Sequence, residues 1–567
     1  MTELKVPPEG KKKILLINPP KHEFFPFIDT MALPTGLLKI GGYLRDLGHE
    51  VSLIDCDDFV KRGAFAVHEA PCGNYENERI SKTVYHAGIP WDDFERQLLE
   101  RERPDEIYVT SSMTYYWKPV HKVIELCKQR FPGVPVVLGG PYPTLCPDHA
   151  RRSGADRVFV GELFEASDHP AAMDLLPFVP SFAVVKSTRG CPHHCSYCAV
   201  SILEGSRMRF RSPESVFNEM KEIVTRFGIT EFHMWESNLL VNARRHLERL
   251  LDLIIEDGLH VKIDFPEGLQ PNLLYPELAV KMKQAGVVRL ALPLESVDEA
   301  LYKDRFHRPS GLTALEKSVE MFKAAGFTGD QIRIFVLFGM PDQSLDSIIR
   351  SCREAWALGC RLTPLAYTPI PGTAEFENYR HMFEGRDLEH LHPRLWPCAS
   401  PKLKVSELEE VVVLFGTSPF QVKLDYRGGV YDAAMREIVG AQRTLRAGDL
   451  DGLDPRSLPY LISFEFGEDD LTSQNGDRVV ALLAAARRAH KTLAIAGPLP
   501  RCIFRPEDHA LLSEFEIFNS NALAYSKYKT GHHRFERCRG CTWDLDSSTH
   551  GLCGPCLPAS VSCRAAS

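Results

Sequence analysis

Residues 190–200 read GCPHHCSYCAV and set three cysteines, Cys191, Cys195 and Cys198, at C-x3-C-x2-C spacing. Thiolates this close can share one metal centre, but a closed structural site takes four protein ligands, and a [4Fe–4S] cluster is ordinarily held by four cysteines. Three ligands around a four-iron cube leave one iron open to another molecule. A zinc site completed from elsewhere, for instance by His193 or His194, is the competing reading of the same residues. A second group closes the chain: Cys538-x2-Cys541-x11-Cys553-x2-Cys556-x6-Cys563, with Cys502 upstream. Two Cys-x2-Cys knuckles at this separation present four thiolates to one centre. Zinc or a single iron would make that site structural. An auxiliary [4Fe–4S] cluster held by four of the six is the alternative, and spacing does not settle which four.

The elements that carry these groups belong to a 567-residue chain, too long for one core, so three or four domains are expected. With 44% hydrophobic and 25% charged residues the composition is that of an ordinary globular protein. A net charge of −8 argues against a nucleic-acid-coating surface. No apolar run reaches the length of a membrane span, and MTELKVPPEGKKK lacks a signal-peptide core, which reads as a soluble cytoplasmic protein without an integral membrane segment. In that compartment sixteen cysteines point to metal or redox chemistry rather than disulfides. The scattered Cys56, Cys72, Cys127, Cys146, Cys352, Cys360 and Cys398 are expected to be small buried hydrophobes.

Two alternating series follow along the chain. In 13–165, KILLIN, VSLID, EIYVTSS, PVVLGG and VFVGE read as strands, with helix-like PTGLLKIGGYLRDLG and KPVHKVIELCKQRF between them. Apolar strands alternating with amphipathic helices predict a flavodoxin-like parallel sheet covered on both faces, with ligands beyond the carboxyl ends of its strands. The stretch HPAAMDLLPFVP (169–180) reads as a linker. Residues 181–400 hold about six strand–helix units, most of a β/α TIM-type barrel, and the cysteine triad follows the first strand, where barrel chemistry resides. Beyond residue 400 a small α/β unit is expected around YLISFEF, GDRVVALLAAARRAHK and TLAIAG. The division is therefore 11–168, a 169–180 linker, 181–400, and a 401–567 extension ending in the cysteine knot.

The triad, with Tyr197 before its last cysteine, resembles the radical S-adenosylmethionine (SAM) superfamily. The resemblance implies that Cys191, Cys195 and Cys198 hold a [4Fe–4S] cluster whose open iron is chelated by SAM. Reductive cleavage then yields a 5′-deoxyadenosyl radical that abstracts hydrogen from an unactivated C–H bond. It further implies Glu236 in MWESNLL near the SAM amino group, and Glu295 and Ser296 in LPLES at the ribose and carboxylate. Gly339 and Pro341 in FGMPDQS would run their backbone along the adenosyl group. An electron donor such as flavodoxin or ferredoxin is implied. His233, Arg289, Arg333 and Tyr367 lie near strand ends and could face the barrel lumen.

The first series resembles the cobalamin-binding domain fused to many radical SAM enzymes, which implies a corrin beside Thr110, Ser111, Ser112, Gly139 and Gly140. The Asp-x-His-x-x-Gly loop that supplies a lower cobalt ligand in many cobalamin proteins is absent, and His22 is a weak substitute for it. Trp117, Tyr115 and Tyr116 could line the face toward the barrel or form plain interface core. The expected activity is radical SAM chemistry, with methyl transfer if cobalamin is bound. Without it, radical oxidation, bond formation or rearrangement of a peptide, lipid or natural product is expected. A non-catalytic cobalamin or metal sensor is the reading from another class.

Overall fold

The computed structural model describes residues 10–24, 33–57, 70–76, 80–399, 403–404, 408, 443–458, 461–465, 472–488, 494–496 and 516–518. Cys502, Cys538, Cys541, Cys553, Cys556 and Cys563 lie outside the described residues. The chain divides into two compact units, one of Met1–Gly326, Leu337–Gln343 and Ala366–Pro401, the other of Phe327–Val336, Ser344–Leu365 and Lys402–Ser567.

The first unit opens with a five-stranded parallel sheet built from β1 (Lys13–Asn18), β3 (Glu50–Asp55), β6 (Glu106–Val109), β7 (Val136–Leu138) and β8 (Arg157–Val158). Its order is β3-β1-β6-β7-β8, the flavodoxin-like arrangement expected from the alternation. Ile14, Leu15, Leu16 and Ile17 of β1 are all buried, as a central strand covered on both faces requires. Leu15 and Ile17 pack with α2 (Trp91–Glu100) and α3 (Trp117–Arg130), while Leu16 faces α1 (Thr35–Asp46). Winding reverses between β1 and β6, so the crevice for a ligand opens beyond Asn18 and Val109.

Three features depart from the sequence reading. β2 (Lys21–Glu23), β4 (Ala70–Glu76) and β5 (Ser81–Ala87) form a separate antiparallel sheet of order β2-β5-β4. Apolar periodicity misses it because β4, APCGNYE, has no alternating pattern. Cys72, on β4, is exposed rather than a buried hydrophobe, and Cys146 is only half-buried. The 169–180 stretch is packed rather than a free spacer: Ala172 N donates to Leu38 O at 3.1 Å, and Met173 and Leu176 are buried.

That packing explains two glycines inside α1. A Cβ on Gly42 would lie 2.7 Å from Pro170 O and 2.8 Å from His169 Nδ1, and one on Gly41 would lie 2.5 Å from Leu175 Cδ1. Lys39 on the same helix is buried, its Nζ donating to His169 O at 3.0 Å and Ser167 O at 3.3 Å, and burial pulls its pKa down to about 8.

The second series in this unit runs through β9 (Ala183–Val185), β10 (Thr188–Arg189), β11 (Arg209–Phe210), α4 (Pro213–Phe227), β12 (Glu231–Met234) and α5 (Leu247–Asp257). It continues through β13 (Lys262–Phe265), α6 (Pro276–Gln284), β14 (Val287–Glu295) and α7 (Leu312–Ala324). β9, β12, β13 and β14 are parallel neighbours in chain order, as strand–helix repeats with short turns dictate. Local grammar sets the helices: α4 starts on Ser212, whose side chain accepts from Ser215 N, has Pro213 in its first turn, and stops at Gly228 with φ +70. Arg211 and Glu219 form a fully buried ion pair, and Glu219 also accepts from Ala171 N at 3.2 Å, tying the 169–180 stretch to α4.

The second unit contains β15 (Ile332–Phe338, whose last residues return to the first unit), α8 (Leu345–Ala357) and β16 (Arg361–Ala366). It also holds a parallel sheet of order β17 (Arg443–Arg446), β18 (Leu461–Glu465), β19 (Ala494–Ala496) and β20 (Glu516–Phe518). α9 (Ser473–Arg488) supplies Val479, Leu482 and Leu483 to a core shared with Leu445 and Ile462, the small α/β unit expected beyond residue 400. Among the described residues no helix is long and apolar enough to cross a membrane.

Alanine is the better helix former by about 1 kcal/mol, yet at Gly42 the new methyl group meets a backbone carbonyl. Gly42→Ala is expected to lower the thermal midpoint of unfolding. Gly36→Ala, where nothing lies within 4 Å, should leave it unchanged or raise it. Equal midpoints for the two variants would contradict the packing of 169–180 on α1.

Candidate active site

The cysteine loop is closed at its neck by the antiparallel pair of β10 and β11. Gly190 turns the chain there at φ +81. A Cβ would sit 2.5 Å from Arg207 O and 3.0 Å from Gly205 O, so the position takes only glycine. Gly190 N donates to Glu204 Oε2 at 2.9 Å, Cys191 N to Gly205 O at 3.2 Å, and Cys198 N to Cys195 O at 3.0 Å.

Ser196, between the second and third cysteines, anchors the loop from below. Its carbonyl accepts from Glu375 N at 2.8 Å and its hydroxyl donates to Glu375 Oε2 at 3.1 Å. Glu375 is fully buried, and its other oxygen receives Arg305 Nε at 2.7 Å. Arg305 Nη1 reaches Asp342 Oδ2 at 3.2 Å, which also accepts from Tyr379 OH at 2.6 Å. The chain from Asp342 through Arg305 and Glu375 thus fixes the backbone on which the thiols stand.

All three thiols are free and half-buried. Burial raises the pKa of Cys195, and carries that of Cys198 to about 11. Cys191 raises each of them further, while the Arg308 guanidinium beside Cys195 acts the other way. Among the described residues no set of three or more His, Cys, Asp or Glu side chains is gathered tightly enough for a single metal ion. His193 Nε2 bonds Gln270 Oε1 at 2.8 Å and His194 is exposed, so neither completes a zinc site with the triad. A cube of four irons spreads its ligands more widely than one ion does, and three half-buried thiols on one short loop suit that larger group.

The other candidates stand at the ends of three further strands, and Glu295 among them reaches the cysteine loop directly. Tyr197 OH donates to Glu295 Oε1 at 2.8 Å. Glu295 is buried at the end of β14 with φ +64, a left-handed conformation that a non-glycine residue adopts only at a cost. Ser296 follows it, buried, its Oγ accepting from Asp298 N at 3.1 Å. Glu236, beyond β12, is buried and accepts from Ser187 N at 2.6 Å, from Thr188 N at 2.8 Å and from Thr188 Oγ1. Three donors take three of the roughly four lone-pair sites of its carboxylate. Gly339, at φ +85, and Pro341 form the turn after β15, closed by Met340 N donating to Gln343 Oε1 at 3.2 Å.

Several residues here carry no sequence signal of their own. Asn238 Nδ2 lies 3.6 Å from Cys191 Sγ and 2.9 Å from Gln270 Oε1. Arg308 Nη1 lies 3.8 Å from Cys195 Sγ, and its Nη2 4.0 Å from Glu295 Oε1. Glu375 and Arg305 belong to the same class. Each is remote in sequence from the cysteine it serves.

The segment after the edge strand β8 adjoins the neck of the cysteine loop. Glu162 pairs with Arg189 at 2.6 Å and with Arg209, whose guanidinium also lies over Phe164 at 4.6 Å. Ser111 is buried with Oγ donating to Gly139 O at 3.2 Å, while Thr110 is half-buried and Ser112 exposed. A Cβ at Gly140, φ +103, would collide with Ser111 O, whereas Cβ atoms at Gly139 and Gly161 would meet nothing within 4 Å. The same segments expose large apolar side chains, Met113 at 48%, Val160 at 49%, Phe164 at 56% and Ile202 at 39%. Open glycines beside bare apolar side chains make a cradle suited to a broad flat ligand.

The remaining candidates are engaged elsewhere. His22 Nδ1 bonds Glu389 Oε1 at 3.3 Å, Trp117 Nε1 donates to Asp387 Oδ1 at 2.7 Å, Tyr116 bonds Glu23, and Tyr115 packs edge-on against His392. These groups bind the sheet domain to residues 387–392 as interface core. His233 stacks on Phe182 with ring centres 4.2 Å apart, and Arg289 pairs with Asp264 at 2.9 Å and Glu231 at 2.7 Å. Tyr367 is buried with no partner for its hydroxyl, and Arg333 lies on β15 in the second unit.

Removing the Glu375 carboxylate leaves Arg305 without its buried partner and Ser196 without its acceptor. Glu375→Ala is expected to cost about 3 kcal/mol and to speed amide exchange across residues 191–199, whereas Glu375→Gln, which still accepts from Ser196, should lose less. Unchanged exchange in that loop would show that the clamp does not hold it.

Two family models match: the radical SAM superfamily over residues 185–354 and the B12 binding domain over residues 75–169. An uncharacterized methyltransferase of Pyrococcus horikoshii is 22% identical over 417 residues, covering 64% of this chain and 82% of that protein. The cytidylyl-2-hydroxyethylphosphonate methyltransferase of Streptomyces wedmorensis is 28% identical over 155 residues, 27% of this chain and 28% of that protein. The solved structure of the radical S-adenosylmethionine methyltransferase TsrM from Kitasatospora setae, with cobalamin and a [4Fe–4S] cluster bound, superposes with a TM-score of 0.52 at 16% identity. It covers 71% of this chain and 86% of that one, and the likeness shows a shared fold. The chain is an enzyme of the radical SAM superfamily, with a B12-binding domain ahead of its radical SAM domain.

Proposed function

We propose that the protein is a cobalamin-dependent radical SAM methyltransferase that modifies an unactivated carbon of an organic substrate. The observation that carries this reading is the adjacency of two cradles. Three half-buried thiols stand on a loop whose neck is ion-paired to the segment beyond the edge strand β8 of the B12-binding domain through Glu162, Arg189 and Arg209. When bound, a [4Fe–4S] cluster with SAM supplies a 5′-deoxyadenosyl radical, and cobalamin supplies a carrier for the methyl group.

The chain's own residues position and exclude. Cys191, Cys195 and Cys198 would hold the cluster, on a loop fastened by Ser196 to Glu375. Glu236 offers its remaining lone-pair capacity to the ammonium of SAM while tying the ends of β9 and β10. Glu295, oriented by Tyr197, and Ser296 serve the ribose and carboxylate end, and the turn of Gly339 and Pro341 lets backbone lie along the adenosyl group. Thr110, Ser111, Ser112, Gly139 and Gly140 receive the corrin, and the apolar side chains of Met113, Val160 and Ile202 keep water from its edge. A closed pocket matters because a primary carbon radical reacts with whatever C–H bond it meets. Electrons come one at a time from a low-potential donor such as flavodoxin or ferredoxin.

Protein reconstituted with iron, sulfide and cobalamin, given SAM and a one-electron reductant, is expected to release 5′-deoxyadenosine and S-adenosylhomocysteine. Cys191→Ala, Cys195→Ala and Cys198→Ala should each abolish release of 5′-deoxyadenosine. Gly139→Leu should suppress cobalamin binding while leaving 5′-deoxyadenosine formation within a few-fold of the wild type. Release of 5′-deoxyadenosine by all three cysteine variants would overturn the reading.

A further inference from the structure

Arg308 reaches the triad by an unusual route. The chain leaves Ser296, forms a π-helical turn over Ala300–Arg305, and passes His307 at φ +54 before Arg308. Phe306 N closes the wide turn on Leu301 O at 2.9 Å, and Arg308 N donates to Tyr302 O at 2.9 Å. Single π turns and left-handed non-glycine residues are costly and cluster where a side chain has to be aimed. Here the two in succession deliver one guanidinium to Cys195, with Nη1 at 3.8 Å from the sulfur.

The guanidinium is not satisfied by protein atoms alone. Its Nε is buried with no hydrogen-bond partner, and its nearest carboxylate, Glu295, stands 4.0 Å from Nη2 and is already bonded by Tyr197. A buried charged donor left idle costs free energy unless a bound group supplies the acceptor. Three thiolates on a four-iron cube give an anionic centre, and each electron taken up adds another negative charge. A cation and an N–H···S hydrogen bond in a weakly screened interior favour the more negative, reduced form.

We propose that Arg308 is the counter-cation of the triad's cluster, donating to the Cys195 sulfur and raising the potential at which the cluster accepts its electron. The inference rests on the reading that the triad holds a [4Fe–4S] cluster. The redox step is a single-electron transfer from a low-potential one-electron donor to the cluster. No bond forms or breaks, and Arg308 keeps its charge throughout. Arg308 acts as a positioning and tuning residue, through the sulfur of Cys195.

The test compares the wild type with Arg308→Lys and Arg308→Met, full-length and reconstituted anaerobically. Iron and sulfide are counted first, and the cluster is then titrated with a one-electron reductant under EPR in the absence of SAM. Arg308→Met is expected to lower the reduced-to-oxidised ratio at fixed potential at least tenfold, a midpoint shift of about 59 mV for a one-electron couple. Arg308→Lys, which keeps the charge and loses the planar fork, should recover part of that shift. If Arg308→Met fails to retain its cluster, Arg308→Lys alone decides, by a smaller shift in the same direction. A full cluster with an unmoved midpoint in the variants overturns the proposal, and a loss of SAM affinity alongside it would assign Arg308 to the SAM carboxylate instead. A wild type that holds no four-iron cluster would instead defeat the reading of the triad itself, before any variant is compared.

Discussion

Three thiols on one short loop repel one another once ionised, and the contacts that hold the loop answer that constraint. Burial and mutual proximity push Cys195 and Cys198 toward the neutral form, so an apo protein gains nothing electrostatically from bringing them together. Their convergence is imposed by the loop: Gly190 makes the turn, β10 and β11 close the neck, and Ser196 is fastened to Glu375, which is in turn neutralised by Arg305. The Arg308 guanidinium beside Cys195 relieves part of that repulsion, and a cationic metal group would relieve the rest.

The same loop ties the two halves of the first unit together. Arg189, one residue before Gly190, and Arg209, across the hairpin, both pair with Glu162 of the B12-binding domain. Displacing the cysteine loop therefore also displaces the segment beyond the edge strand β8 of the flavodoxin-like sheet. On the other flank, His22, Trp117, Tyr115 and Lys118 are committed to residues 387–392, so that side of the interface is sealed by side chains. With the corrin and the cluster bound as proposed, the open space beside Gly139, Gly161 and Ile202 would lie between them. A transfer that joins two cofactor chemistries needs such a common space.

What the sequence reveals and what it hides follow one physical rule: local spacing is legible, long-range convergence is not. The triad, the β1 strand KILLIN and the capping of α4 by Ser212 and Gly228 are all written within a few residues. The order of the first sheet follows from alternation alone, because parallel strands joined by helices have few packed solutions. Glu375 lies 179 residues from Ser196, and Arg308 lies 113 from Cys195, so no periodicity or motif marks either pairing. The antiparallel sheet of β2, β4 and β5 escapes because β2 is short and half-buried and β4 largely exposed, so neither carries an apolar stripe. The 169–180 stretch reads as a spacer from its prolines, yet the paired glycines of α1 exist to receive it.

The most direct measurement is EPR of the anaerobically reconstituted, dithionite-reduced protein with and without SAM, alongside its iron and cobalt content. The account predicts a reduced four-iron signal whose g-values shift when SAM is added, because one iron has no protein ligand. It also predicts near-stoichiometric cobalt after supply of cobalamin, and loss of about four irons per chain in the Cys191→Ala, Cys195→Ala, Cys198→Ala triple variant with cobalt retained. A signal indifferent to SAM, or an iron content unchanged by removing the three cysteines, would contradict it.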